Sequence, residues 1–164
     1  MQVNTLILGA GAAGLMCAAH AGPNTLVIDH AKKPGEKIRI SGGGRCNFTN
    51  MYCTPQNFLC ENPHFAKSAL ARYTQWDFIE LVAKHGIAYH EKTLGQLFCD
   101  GKSTQIVQML LDEMAHAEAA LWLETTVASV DYDGTDFVVG LEHKSKGKTV
   151  LARNLVLATG GKSI

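Results

Sequence analysis

The sequence predicts an α/β fold with a parallel sheet, a flanking helical layer and a small antiparallel strand group. Three observations lead there. Residues 2 to 29 read strand, glycine turn, small-residue helix, strand, which is a βαβ unit of the parallel kind. Residues 64 to 118 carry helical periodicity, and residues 121 to 158 alternate as strands do. With 164 residues, of which 46% are apolar and 18% charged, the chain has material for one core rather than two.

In chain order, the first strand is Val3 to Leu8, followed by a turn from Gly9 to Gly14, a helix from Leu15 to Ala21 and a second strand from Thr25 to Asp29. From His30 to Asn62 the chain turns polar and glycine-rich, a long loop with one short helical turn at Glu36 to Ile40. Helices are expected at Phe65 to Tyr73, Trp76 to His85 and Ser103 to Glu118. The last shows an apolar stripe at Ile106, Val107, Leu110, Leu111 and Met114. A short extended stretch lies within Ile87 to Cys99, and Trp76 and Trp122 are expected in the core. Strands follow at Val127 to Val130, Phe137 to Leu141 and Leu155 to Ala158. Turn signals separate them at Asp133-Gly134 and Ser145-Lys146-Gly147.

Fifteen lysines and arginines balance fifteen acids, so no long-range field draws the chain to nucleic acid or to a membrane, and neither is expected as a partner. Five cysteines are an odd number and suit reduced thiols in the cytoplasm. Leu6 to Ala21 is apolar like a signal peptide, but it lacks a basic lead and is broken by three glycines. Cys46, Cys53 and Cys60 recur every seven residues, which is no metal-ligand spacing, and no metal site is expected.

Chemistry enters at Gly9-Ala10-Gly11-Ala12-Ala13-Gly14. In such a turn the first glycine makes the bend, the second lets backbone approach a pyrophosphate, and the third lets helix pack on strand. The anion then rests on a helix amino terminus, where free N–H groups and the helix dipole neutralise it. Asp29, twenty residues after Gly9, stands where an acid accepts hydrogen bonds from an adenosine ribose. The plainer reading is a tight turn followed by a surface acid. An acid here disfavours a 2′-phosphate, which leaves FAD and NAD.

The segment Ser41-Gly42-Gly43-Gly44-Arg45-Cys46-Asn47 chooses FAD. Its three glycines offer bare backbone to a flat or anionic ligand, with Ser41, Arg45 and Asn47 as hydrogen-bonding edges. A nicotinamide-linked dehydrogenase has no standard use for such a loop. Beside Arg45, Cys46 is either a thiol of lowered pKa or, as the better reading, a small residue filling a gap. Lys37 and Arg39 either neutralise phosphates or form a solvated charge run, and His30 is a lid on the adenine or a solvated residue.

Lys37 through Asn50 resembles the signature of a bacterial FAD-dependent flavoprotein family related to the glutathione-reductase and fumarate-reductase type. Its members are described as aminoacetone-oxidase-like or NAD(P)/FAD-dependent oxidoreductases and include a reductase of bile-acid metabolism. Gly95 to Asp100 and Leu155 to Gly161 resemble further segments of that family, so the likeness covers essentially the whole chain. The resemblance implies a Rossmann-like FAD-binding domain, with the pyrophosphate on Gly9, Gly11, Ala12, Ala13 and Gly14 and the ribose on Asp29 beside His30. It implies the stretch from Lys37 through Ser41 to Asn47 along the ribityl chain, Val127 at the adenine edge, and Ala158, Thr159 and Gly160 closing over the dinucleotide. Asp29 is shorter than the glutamate usual in relatives.

The resemblance also implies an oxidoreductase moving hydride from NAD(P)H through FAD to a small organic substrate or dioxygen. No acid–base residue stands out, so no catalytic residue is named. Relatives are substantially longer. Residues 1 to 164 are therefore expected to be the amino-terminal part of the FAD domain, without the inserted substrate domain and the carboxy-terminal return segment. The last strand is expected to leave a sheet edge open to self-association. Two other classes stay open: a nucleotide-binding fragment without turnover, and an NAD-linked dehydrogenase.

Overall fold

A computed structural model describes residues 1–161. The elements in order are β1 (Gln2–Leu8), α1 (Ala12–His20), β2 (Thr25–Ile28), α2 (Glu36–Ile40), β3 (Asn47–Asn50), α3 (Lys67–Arg72) and α4 (Gln75–Lys84). They continue with β4 (Tyr89–Glu91), β5 (Gln96–Cys99), α5 (Thr104–His116), β6 (Ala120–Trp122), β7 (Thr125–Tyr132), β8 (Phe137–His143) and β9 (Lys146–Leu157). The chain divides into two compact units, one made of Met1–Ile38 with the chain from Leu110 onward, the other of Arg39–Met109.

The first unit is an α/β layer of Rossmann type built on a six-stranded sheet of order β6-β2-β1-β9-β8-β7. Its left half is parallel: β1 pairs with β2 from Thr5↔Thr25 to Leu8↔Ile28, and β2 pairs with β6. All four residues of β2 are buried, as a strand covered on both faces must be, so it shows an apolar run instead of alternation. α1 buries Gly14, Leu15 and Ala18, of which Gly14 and Ala18 are small enough to keep the helix close to its sheet. Leu6, Ile7, Leu26 and Val27 are wholly buried, each contributing about 1.5–3 kcal/mol by removal from water.

Strand β9 joins the two halves of this sheet. Its first part pairs antiparallel with β8, from His143↔Lys146 to Phe137↔Ala152, and its second part pairs parallel with β1, from Gln2↔Leu151 to Leu8↔Leu157. The last strand is thus interior, not an open edge as expected; the edges are β6 and β7. It is also far longer than Leu155 to Ala158, because its exposed start, Lys146-Gly147-Lys148-Thr149, carries no apolar alternation to reveal it. The β8–β9 turn falls at Lys144-Ser145, one residue ahead of the expected position. Both residues take positive φ (48° and 61°), the two-residue turn whose twist matches the flanking strands.

The second unit pairs a three-stranded antiparallel sheet, β3-β5-β4, with α3 and α4. The polar loop thus contains a strand, since β3 pairs with β5 at Asn47↔Phe98. Phe48 is the anchor, with its ring 6.1 Å from Phe78 of α4 and 5.5 Å from Tyr89. α4 opens with a capping box in which Thr74 N–H donates to Asp77 at 2.6 Å and Asp77 N–H donates to Thr74 Oγ1 at 3.3 Å. Trp76 is exposed, contrary to expectation: it lies about 120° round the helix from Val82, the buried residue of α4. Trp122 does pack against the core of the first unit. Among the described residues, no helix is long and apolar enough to cross a membrane.

Candidate functional site

The glycine turn lies between β1 and α1 in the first unit, and its three glycines have different reasons to be glycine. Gly9 holds φ +112°, and a Cβ there would run into the carbonyl of Ala158. A Cβ on Gly14 would overlap the carbonyl oxygen of Gly9. Around Gly11, by contrast, an added Cβ meets nothing within 4 Å and the φ is ordinary. Packing requires the outer two glycines; the middle one keeps open a space that the protein itself leaves free.

That space lies over a helix amino terminus. Gly11 is the N-cap of α1 and brings no side chain to the cap. The first hydrogen bond of the helix runs from Leu15 N–H to Gly11 at 3.0 Å. The amides of Ala12, Ala13 and Gly14 therefore precede the first intrahelical acceptor and present their N–H groups at the positive end of the helix dipole. This is an anion cradle, and it fits a pyrophosphate.

Asp29 follows β2 and works on the turn directly. Ala10 N–H donates to its Oδ2 at 2.7 Å and Ala31 N–H donates to its Oδ1 at 2.9 Å. Gly35 N–H holds the other side of the turn, donating to the Ala10 carbonyl at 2.8 Å. Each carboxylate oxygen keeps a second lone pair for a ribose hydroxyl. His30 Nδ1 lies 3.3 Å from Asp29 Oδ1, with its side chain 82% exposed.

Beside Asp29 opens a cleft of about 280 Å³ whose walls include Gly9, His30, Thr125, Thr126, Val127 and Thr159. Its size suits one end of a dinucleotide rather than a whole one. Val127, singled out from sequence, is there; Thr125 and Thr126 were not foreseen. The overlooked signal is a pair of β-branched threonines immediately ahead of Val127 at the start of a strand. Backbone bonds fix their place: Asp29 N–H donates to Trp122, and Thr125 N–H donates to Asp29, at 3.0 and 2.9 Å. Thr125 Oγ1 lies within hydrogen-bond distance of both the Leu123 carbonyl, at 3.0 Å, and His143 Nδ1, at 2.6 Å. His143 in turn stacks on Trp122, over whose ring Lys148 Nζ lies 4.7 Å from the centroid.

Ala158, Thr159 and Gly160 follow β9 and close on the glycine turn, with Ala158 N–H donating to Leu8 at 2.8 Å. Lys37 has a definite task here: its Nζ donates to the Gly161 carbonyl at 2.9 Å, which ties α2 to the closing turn.

Ser41, Gly42, Gly43, Gly44, Arg45, Cys46 and Asn47 belong to the second unit and are coherent there. Ser41–Gly44 forms a tight, kinked turn in which Gly42 and Gly43 leave the helical region for left-handed φ of +58° and +68°. A Cβ on Gly42 would strike the Phe98 ring at 2.6 Å, whereas one on Gly43 meets nothing. Arg45 and Asn47 are exposed, while Cys46 points inward and is 5% exposed. Burial raises the Cys46 thiol above its ordinary value, opposed by a smaller effect of its hydrogen bond with Ser41. Arg45 does not activate it; Cys46 is the gap-filler. Cys99 is buried too, and its thiol is pushed up to about 11 by burial first and by the neighbouring Cys46 second. Among the described residues no group of three or more His, Cys, Asp or Glu is placed to hold a metal ion.

Comparison with known proteins accords with this geometry. The sequence model of a family described as "HI0933-like protein Rossmann domain" matches residues 3–164. The chain is 56% identical to the ribosomal RNA dihydrouridine synthase of Escherichia coli (strain K12) over 99% of its own length and 40% of that protein. To the protein of the same name from Haemophilus influenzae it is 51% identical, over 97% of this chain and 40% of that one. A 3-dehydro-bile acid delta(4,6)-reductase from Clostridium scindens is 23% identical over 96% of this chain and 39% of that one. The chain thus spans about 40% of the length of the curated relatives it matches. Among solved structures, THI4 of Thermovibrio ammonificans shares the fold with a TM-score of 0.63 at 13% identity, over 97% of this chain and 58% of that one.

Proposed function

The chain belongs to the HI0933-like Rossmann-domain family, and from that premise we propose that it is the FAD-binding part of a flavin-dependent reductase whose substrate is a uridine of ribosomal RNA. The observation that carries the cofactor is the space at Gly11, open over an uncapped helix terminus and flanked by an acid. When bound, FAD supplies hydride taken from a reduced nicotinamide.

This chain's residues bind and orient the cofactor. The amides of Ala12, Ala13 and Gly14 receive the pyrophosphate. Asp29 accepts from the ribose while holding the turn through Ala10. Thr125, Thr126 and Val127 wall the adenine end beside His30, and Lys37 keeps the Ala158–Gly161 turn in place.

The substrate comes from the relatives. A dihydrouridine synthase, by its name, saturates the uracil 5,6-bond, which is conjugated to a carbonyl. The bile-acid relative's name describes reduction of carbon–carbon double bonds in a 3-oxo steroid. Reduction of a carbon–carbon double bond conjugated to a carbonyl is common to both, and it needs one hydride and one proton. The even charge balance of the chain argued against nucleic acid; relatives at 56% and 51% identity argue for it more strongly.

The full-length protein tests this. Purified, it is expected to show visible flavin absorbance and, with reduced nicotinamide, to convert uridine in ribosomal RNA to a nucleoside heavier by two hydrogens in a mass spectrum. A colourless protein overturns the cofactor assignment, and a flavoprotein that leaves ribosomal RNA unchanged overturns the substrate.

A further inference from the structure

We propose that the aromatic rim of the second unit between Tyr52 and Lys67 is a docking platform for a single-stranded stretch of RNA, an inference that rests on the ribosomal RNA reading above.

The zero net charge conceals a division. Arg39–Met109 carries seven lysines and arginines against five acids, whereas the rest of the chain carries eight against ten. Exposed aromatics divide the same way. Tyr52, Phe58, Phe65, Tyr73, Trp76 and Tyr89 are exposed in the second unit, against Tyr132 among the described residues of the first. Cations interleaved with exposed rings form the usual surface for single-stranded nucleic acid, since every base has a face to stack and every phosphate a charge to meet.

The rim has a groove at its centre. About 380 Å³ in volume, it is walled by Pro55, Phe58, Leu59, Cys60, His64 and Lys67. Leu59 is 93% exposed, and Phe58 meets Phe65 edge to face at 6.3 Å, so two rings and a leucine stand in water at one place. Glu61 is the lone acid between residues 51 and 76, against Lys67 and Arg72. The rim is held by its own side chains: Thr54 N–H donates to Asn57 Oδ1 at 2.7 Å, and His64 N–H donates to Asn62 Oδ1 at 3.0 Å. Held this way, the rings lose little freedom when a base stacks on them. A purely apolar protein partner would have no use for the lysine, Lys67, that lines the groove beside His64.

Cys60 lies in the groove wall and is exposed, so it reports occupancy without any substitution. The experiment follows the rate at which N-ethylmaleimide labels Cys60 in the full-length flavoprotein. It is read by mass spectrometry with and without a saturating oligouridylate of about 16 nucleotides. Labelling of Cys60 is expected to slow at least about fivefold with RNA while Cys17, in the first unit, is unaffected. The paired variant Phe58→Ala is expected to weaken oligouridylate binding about tenfold, and Lys67→Glu to lower the salt dependence of binding by about one ion. Bound RNA with an unchanged Cys60 rate overturns the proposal and leaves the ribosomal RNA reading intact. Protection of Cys60 before RNA is added shows that the groove is already covered, and overturns it equally. Failure to bind either oligouridylate or ribosomal RNA overturns both.

Discussion

The two units use glycine and burial in opposite ways. In the first, Gly9 and Gly14 are fixed by backbone that lies against them, Gly11 stands open, and β2 runs buried on both faces. In the second, a triple-glycine turn depends on positive φ, and several aromatic rings elsewhere in the unit stand in water. A glycine therefore signals a ligand only where neither packing nor dihedral demands it. By that criterion Gly11 is open to the ligand role proposed above and Gly9 is a folding position, although both belong to one sequence motif.

Substitutions break or sharpen this contrast. The largest effect is expected at Gly14→Val and Gly9→Ala, where the new atoms collide with backbone that cannot yield. Overpacking, with the unfavourable φ at Gly9, is expected to cost about 3 kcal/mol or more in urea unfolding. Gly11→Val is the counterpart: its stability should fall by only about 1 kcal/mol, the cost of a poorer N-cap, while flavin is lost from the full-length protein. Retained flavin in that variant would remove the basis for placing the pyrophosphate there.

Next in size is Asp29→Leu. It leaves the amides of Ala10 and Ala31 without their acceptor and is expected to cost about 2 kcal/mol, with Asp29→Asn recovering part of it. Equal losses for the two variants would show that charge rather than acceptance holds the turn. In the second unit, Gly42→Ala is expected to cost about 2 kcal/mol against the Phe98 ring, and Gly43→Ala about 1 kcal/mol from its dihedral alone.

The smallest effect is one of pH. The folded state holds the protons of Cys46 and Cys99 more tightly than the unfolded chain does. Above the ordinary thiol value near 9.0 the unfolded state releases protons that the folded state keeps, so stability falls as pH rises. The fall is expected between about pH 9 and 11, at up to about 1.4 kcal/mol per pH unit for one thiol. Urea midpoints measured across that range should decline in the parent and flatten in Cys99→Ala.

Much of the first unit was legible because its signals are local. The turn from Gly9 to Gly14, the helix after it and Asp29 at the end of β2 lie within one βαβ length, and hydrophobic runs mark the strands. Less of the second unit could be read. β3 is a four-residue strand of polar and aromatic residues, and it becomes a strand only because β5, nearly fifty residues later, pairs with it. β6 is three residues long and is defined by β2 alone. Trp76 reads as core by type, yet its helix turns another face inward.

The sequence by itself determined the local frame of the candidate cradle, since a tight turn, an uncapped helix terminus and an acid follow from residue types at short spacing. Only the tertiary structure decided how the cradle is held. Asp29 reaches back nineteen residues to Ala10, and Lys37 reaches forward 124 to Gly161. Thr125 becomes a wall of the cleft through its backbone bond to Asp29. Such contacts depend on which strands become neighbours, and that is set by burying the whole sheet, which no local pattern encodes.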